Sequence, residues 1–215
     1  MNFALGPGIS FCLIGQQPFF LNRMGDRYFT LSGGRAESFV KLSRGQEIPA
    51  ADIDFLQSQG IIQPSNGSME IAPQLAPSLA CSWSEPLGRP GAFRILRAIF
   101  ELFAARIELR RVGLAAVLER LSRARRRSDS LVRPEAISSV IASFATVDLL
   151  FTPQGQCLVR SIAMARTLAR AGCDFNLVIG VRSGPFGAHC WIQQRSVILN
   201  DQLDRVRDFV PIFVL

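Results

Sequence analysis

Histidine is all but missing from this chain: His189 is the only one among 215 residues. Any reaction that needs an imidazole must therefore use that ring. Lysine is as scarce, Lys41 being the only one, so the net charge of +7 and the pI of about 10.1 rest on arginine. That balance permits an acidic partner, nucleic acid included, but does not name one. No Cys-x-x-Cys pair exists. His189 and Cys190 are neighbours on an expected strand, so their side chains point to opposite faces, which argues against a zinc site. The expectation is no metal and no cofactor. The five cysteines, Cys12, Cys81, Cys157, Cys173 and Cys190, are odd in number and irregularly spaced. No segment joins basic residues to an apolar run and a small-residue cleavage site. Reduced thiols in the cytoplasm are the expectation. No apolar stretch of 18 or more residues is available to span a bilayer. With 48% hydrophobic and 19% charged residues the chain reads as globular, one large domain or two small ones.

An α+β organisation in two parts follows from the patterns. Residues 1–72 hold a strand at Ile9–Ile14 and a hairpin of Phe19–Leu21 with Arg27–Leu31, turning at Gly25. A helix capped by Ser32 carries Ala36, Phe39, Val40 and Leu42 inward and closes near Gly45. A second, from Pro49 to Gln59, turns Ile53, Leu56 and Phe55 inward and ends at Gly60. Ile61-Ile62 is expected to pair with Met69–Ile71. The order β, β, β, α, α, β is that of a small winged-helix-like domain. Residues 73–90, with Pro73, Pro77, Pro86 and Pro90, have the composition of a linker. Residues 91–215 begin with helices: Ala92–Leu109, Leu114–Arg126, a third opened by Pro134 and running to about Leu150, and a fourth begun by Cys157. Strands at Phe175–Val181, Ala188–Gln193 and Val197–Leu199 follow as an antiparallel meander.

Cys157 stands at the start of its helix, after Gln154-Gly155-Gln156. On a helical wheel it shares an arc with Ser161, Ile162, Ala165 and Leu168, while Arg160, Arg166 and Arg170 lie opposite. Unpaired N–H groups at a helix start favour a thiolate. A buried structural cysteine is the competing reading. On the later strand His189, Trp191 and Gln193 share one face, and the next strand would bring Asn200 or Asp201 alongside the imidazole. A nucleophile, a base and an orienting carboxylate in the order Cys…His…Asp are the parts of thiol acyl chemistry.

The blocks Cys157-Leu158-Val159-Arg160-Ser161, Leu168-Ala169-Arg170-Ala171-Gly172, Val178-Ile179-Gly180-Val181-Arg182, Ala188-His189-Cys190-Trp191-Ile192 and Leu199-Asn200-Asp201 resemble the lasso-peptide biosynthesis B proteins. That family comprises leader peptidases of transglutaminase-like, papain-like fold. Cys190 departs from it, alanine being commoner between the His and the Trp. The resemblance implies Cys157 as nucleophile, His189 as general base and acid, and Asp201 as orienter. The oxyanion would be held by the Cys157 N–H, with Gln154 or Gln156 as the second donor. It also implies a precursor peptide as substrate and an asparagine-synthetase-like cyclase as partner. The N-terminal third is similar to the RiPP recognition element, which binds the leader as an added strand. By that likeness Arg27, Tyr28, Phe29, Thr30 and Leu31, with Ile53 and Leu56 on the second helix, would line the leader groove. Two rivals remain. One is a DNA-binding regulator, against which the second helix offers Asp52 and Asp54 and no basic residue. The other is a thiol acyltransferase or transglutaminase using the same three groups. The arginines at 120, 123, 125, 126 and 127 read as the solvated face of a helix.

Overall fold

The computed structural model describes residues 2–65, 71–84, 88–126, 134–150 and 155–215. Strands β1 (Asn2–Leu5), β2 (Ile9–Ile14), β3 (Gln17–Asn22) and β4 (Arg27–Thr30) lead into helices α1 (Gly34–Ser43) and α2 (Ala50–Ser58), then strand β5 (Ile62–Ser65). β2, β3 and β4 form an antiparallel sheet in that order, so β4 is an outer strand. The sheet is covered on both faces. Phe11, Phe20 and Phe29 turn to Phe39 of α1 and Leu56 of α2, with Phe11 edge-on to Phe39 at 4.9 Å and Phe20 stacked on Phe29 at 4.9 Å. Cys12 and Leu21, with Ile14 and Phe19 beside them, face the C-terminal core with Ile212 and Phe213. Burial on two faces is why Ile9–Ile14 reads as an apolar run and not as an alternation.

Two expectations need correcting. β5 pairs with β1, a strand absent from the sequence reading. The expected partner of Ile61-Ile62, Met69–Ile71, falls largely on residues 66–70, which lie outside the described residues. Ser32 does not cap α1, which starts from Gly33 with no side-chain cap bond. The stretch 73–90, expected as a linker, contributes a strand, β6 (Cys81–Ser82), to the C-terminal sheet. The Ala80 N–H donates to the Ser196 carbonyl, the Trp83 N–H to Ile198, and the Gln193 amide to Pro77. Prolines remove donors without preventing the remaining residues from pairing.

Helix α3 (Ala92–Arg126) breaks at Gly113, whose φ of 78° is a left-handed value. Helices α4 (Pro134–Leu150) and α5 (Cys157–Arg170) follow. Strands β7 (Asn176–Ser183), β8 (Phe186–Gln194) and β9 (Val197–Ile198), helix α6 (Leu203–Val206) and strand β10 (Val210–Val214) complete the chain. The sheet order is β10-β7-β8-β9-β6, antiparallel except where β6 meets β9. α5 lies against β8 with α3 and α4 packed on it, so Ile162, Ala163, Met164, Ala165 and Leu168 are fully buried. Each of the larger three contributes about 2 kcal/mol on burial. The opposite face of the sheet carries a second, smaller cluster of Val178, Trp191, Ile198 and Val206. Gly180, opposite His189 in the β7–β8 register, lets the Trp191 ring cross it. A Cβ there would meet ring atoms at 2.8 and 2.9 Å.

Candidate active site

Cys157 is the first residue of α5, and its thiol faces His189 of β8, which lowers its pKa. His189 Nε2 lies 2.6 Å from Asp201 Oδ2. With Nε2–H given to the carboxylate, Nδ1 is left to face the sulfur. The imidazole side chain is 12% exposed and that of Asp201 9%, while Cys157 is half-buried. The structure thus brings the three residues together from an α-helix start, a central strand and the segment after a short strand.

Their electrostatics agree with an ion pair. Burial works to raise the Cys157 thiol, but the hydrogen bond and charge of His189 and the N–H groups of Cys190 and Leu158 outweigh it, and the thiol lies below its ordinary value. For His189, burial pulls down and the bonds to Asp201 and Cys157 push up, which leaves it at about 9. Asp201, raised by burial, is held low by His189, the Gln202 N–H and Arg205. Burial drives the Cys190 thiol far up, so it stays protonated beside the site.

Buried polar side chains fix this geometry. Ser161 Oγ donates to the Cys190 carbonyl at 2.9 Å and accepts from Asn200 Nδ2 at 2.9 Å. Asn200 Oδ1 accepts from the Ile192 N–H at 2.8 Å. Arg160 bonds the Asn200 carbonyl at 2.5 Å and pairs with Asp148 at the end of α4. Arg160, on the arc opposite the apolar one, is thus held at the site, its side chain only 17% exposed. Trp191 stacks beside the His189 ring, centroids 6.3 Å apart, and Phe209 lies 5.2 Å from it. Arg160 recurs one helical turn after Cys157, the only signal that it belonged at this end. Phe209 lies in a stretch that carried none.

Gln156 occupies the N-cap of α5, and its side chain does not cap the helix. Gln154 lies outside the described residues. Of the expected leader-groove residues, Arg27, Tyr28 and Thr30 are exposed on the outer strand β4. Phe29 is part-buried on Phe20, whereas Leu31 and Leu56 belong to the N-terminal core, 8% and 1% exposed. Ile53 is part-buried on the same core. Tyr28 meets Phe186, at the start of β8, edge-on at 5.7 Å. Burial pushes the Tyr28 phenol well up, and the negative charges of Cys157 and Asp26 add to it. The outer strand therefore passes beside the start of β8, the strand that carries His189. Among the described residues no cluster of three or more His, Cys, Asp or Glu could hold a metal, and no helix is long and apolar enough to cross a membrane.

The family model described as Transglutaminase-like superfamily matches residues 99–214, just over half the chain. The Microcin J25-processing protein McjB of Escherichia coli is 33% identical over 72 residues, 34% of this chain and 35% of that protein. The match thus spans about a third of the length of this relative. No solved structure matches.

Proposed function

The chain belongs to the transglutaminase-like superfamily, and on that premise we propose that it is a cysteine peptidase removing the leader from a ribosomally made precursor during lasso-peptide maturation. The observation that carries the proposal is the meeting of Cys157, His189 and Asp201, with the imidazole bonded to the carboxylate and facing the thiol. The partial likeness to a microcin-processing protein supports the substrate class.

In this reading the Cys157 thiolate attacks the carbonyl carbon of the last leader residue. The resulting oxyanion takes hydrogen bonds from the Cys157 N–H, which has no partner within its own helix, and from a Gln156 or Gln154 amide. As the C–N bond breaks, the His189 imidazolium gives its proton to the leaving amine, the new N-terminus of the core peptide. Neutral His189 then takes a proton from water as it attacks the thioester. The thiolate leaves, and the leader departs with a carboxylate. Asp201 holds the ring and stabilises its charged form in both steps.

The leader would add as a strand to the free edge of β4, over Arg27, Tyr28 and Thr30. Support for that track is the position of Tyr28, which touches Phe186 and feels the charge of Cys157. A recognition module fused to the peptidase raises the effective concentration of the scissile bond. The freed amine suits a ring-closing, asparagine-synthetase-like partner. The test is incubation of the chain with a precursor peptide, read by mass spectrometry. Two shorter peptides are expected; a heavier adduct would indicate acyl transfer instead. Cys157→Ala should abolish the cut and keep leader affinity, and full cleavage by that variant would falsify the assignment.

A further inference from the structure

We propose that the first half of α3 is a docking face for an acidic amphipathic helix of a partner protein. Phe93, Leu96, Phe100, Phe103 and Ile107 are 75%, 65%, 66%, 54% and 49% exposed. Their spacing of three, four, three and four residues is a heptad seam two turns of the repeat long. At about 100° per residue the five side chains fall within an arc of about 80°. Counting about 200 Å² for each phenylalanine, the seam shows on the order of 600 Å² of apolar surface, the upper end for a face left to water.

The width of the seam and its borders decide what fits. A bilayer surface takes a broad apolar face, whereas a narrow a/d stripe matches the knobs of one helix. Arg97 and Arg106 flank the stripe, Arg110 and Arg111 lie just past its C-terminal end, and all four are exposed. The two acidic residues in this half of the helix are turned away: Glu101 is buried against Arg170, and Glu108 pairs with Arg120 and Arg166. A second copy would set arginine against arginine. A helix with glutamate or aspartate beside its own apolar stripe would instead pair at every flank. The N-terminal end of the seam also borders a cavity of about 750 Å³, lined in part by Phe93, Arg97, Val140 and Phe144, with room for a bulky anchor side chain.

The probe is a four-heptad synthetic peptide with leucine at a and d and glutamate at e and g, whose own charges oppose self-pairing. Its binding to the full chain is followed by fluorescence anisotropy, beside the same peptide with lysine at e and g. The glutamate peptide should bind at least tenfold more tightly. Phe100→Ser with Phe103→Ser should lose at least tenfold while the melting temperature stays put, both side chains being exposed. Arg97→Glu with Arg106→Glu should reverse the preference. Equal or absent binding of the two peptides overturns the proposal. So does sedimentation of the chain as a dimer that the serine variant dissolves, or co-sedimentation with phosphatidylglycerol vesicles that the same variant abolishes.

Discussion

Asp201→Asn keeps the shape of the side chain and removes the charge that holds the imidazolium. His189 sits at about 9 against an ordinary 6.5. The gap of about 2.5 pH units corresponds to about 3 kcal/mol in favour of the protonated ring. Burial opposes it; the bond to Asp201 is the first of the groups that produce it, and Cys157 supplies the rest. If Asp201 carries half, the variant brings the ring down by about one pH unit. The sign is then set for both partners. A raised histidine stays charged until pH passes its value, so the native pair persists into mildly alkaline solution. In the variant the imidazolium is lost earlier, and the thiol it held down rises in turn. Alkylation by iodoacetamide from pH 5 to 10, read by peptide mass, follows Cys157 without any knowledge of the substrate. Exposed Cys81 serves as the reference thiol in the same sample. Cys157 should react at lower pH than Cys81 in the native chain, and its midpoint should move up in the variant. Cleavage should fall by about two to four orders of magnitude. Superimposed Cys157 curves for the two proteins would refute the reasoning, as would a native Cys157 that reacts no earlier than Cys81.

Gly180→Ala should destabilise the chain by about 1–3 kcal/mol, because the new Cβ meets Trp191 and Phe209 within 2.9 Å in a filled core. A urea midpoint equal to that of the native chain would contradict this packing. Arg160→Met leaves the Asp148 carboxylate part-buried without its partner and should cost about 3 kcal/mol. Adding Asp148→Asn to that variant should recover at least half of the loss, since no charge is then stranded; a double variant as weak as the single would argue that the guanidinium acts only through the Asn200 carbonyl.

The elements legible in the sequence were those whose local pattern was strong enough to stand alone. Phe20, Phe39 and Leu56 are buried where periodicity placed their kind, and Pro134, Gly60 and Gly172 punctuate the helices as such residues should. β1, β6, α6 and β10 have two to five residues each, and the strands among them pair with partners far away in the chain. Nothing within so short a window separates a strand from a loop. The place of Arg160 at the site was not legible for a related reason. A helical wheel assigns faces but is blind to what crosses the end of the helix, and here that is the chain leaving β9.

The choice between Asn200 and Asp201 shows where the alternation of a strand stops helping. β9 ends at Ile198, and one more backbone bond, from the Leu199 N–H to the Ile192 carbonyl, carries the pairing to its end. The Asn200 side chain takes over from there, accepting from the Ile192 N–H and donating to Ser161, which donates to the Cys190 carbonyl. Asn200 is thus spent on the bridge to α5, and the following residue is the one that meets the imidazole. The carboxylate reaches His189 at 2.6 Å because the amide before it is tied to the same helix that carries Cys157. A buried amide therefore couples the placement of the sulfur to that of the acid. Such an arrangement is built from contacts 8 to 39 residues apart, which no local pattern in the chain could announce.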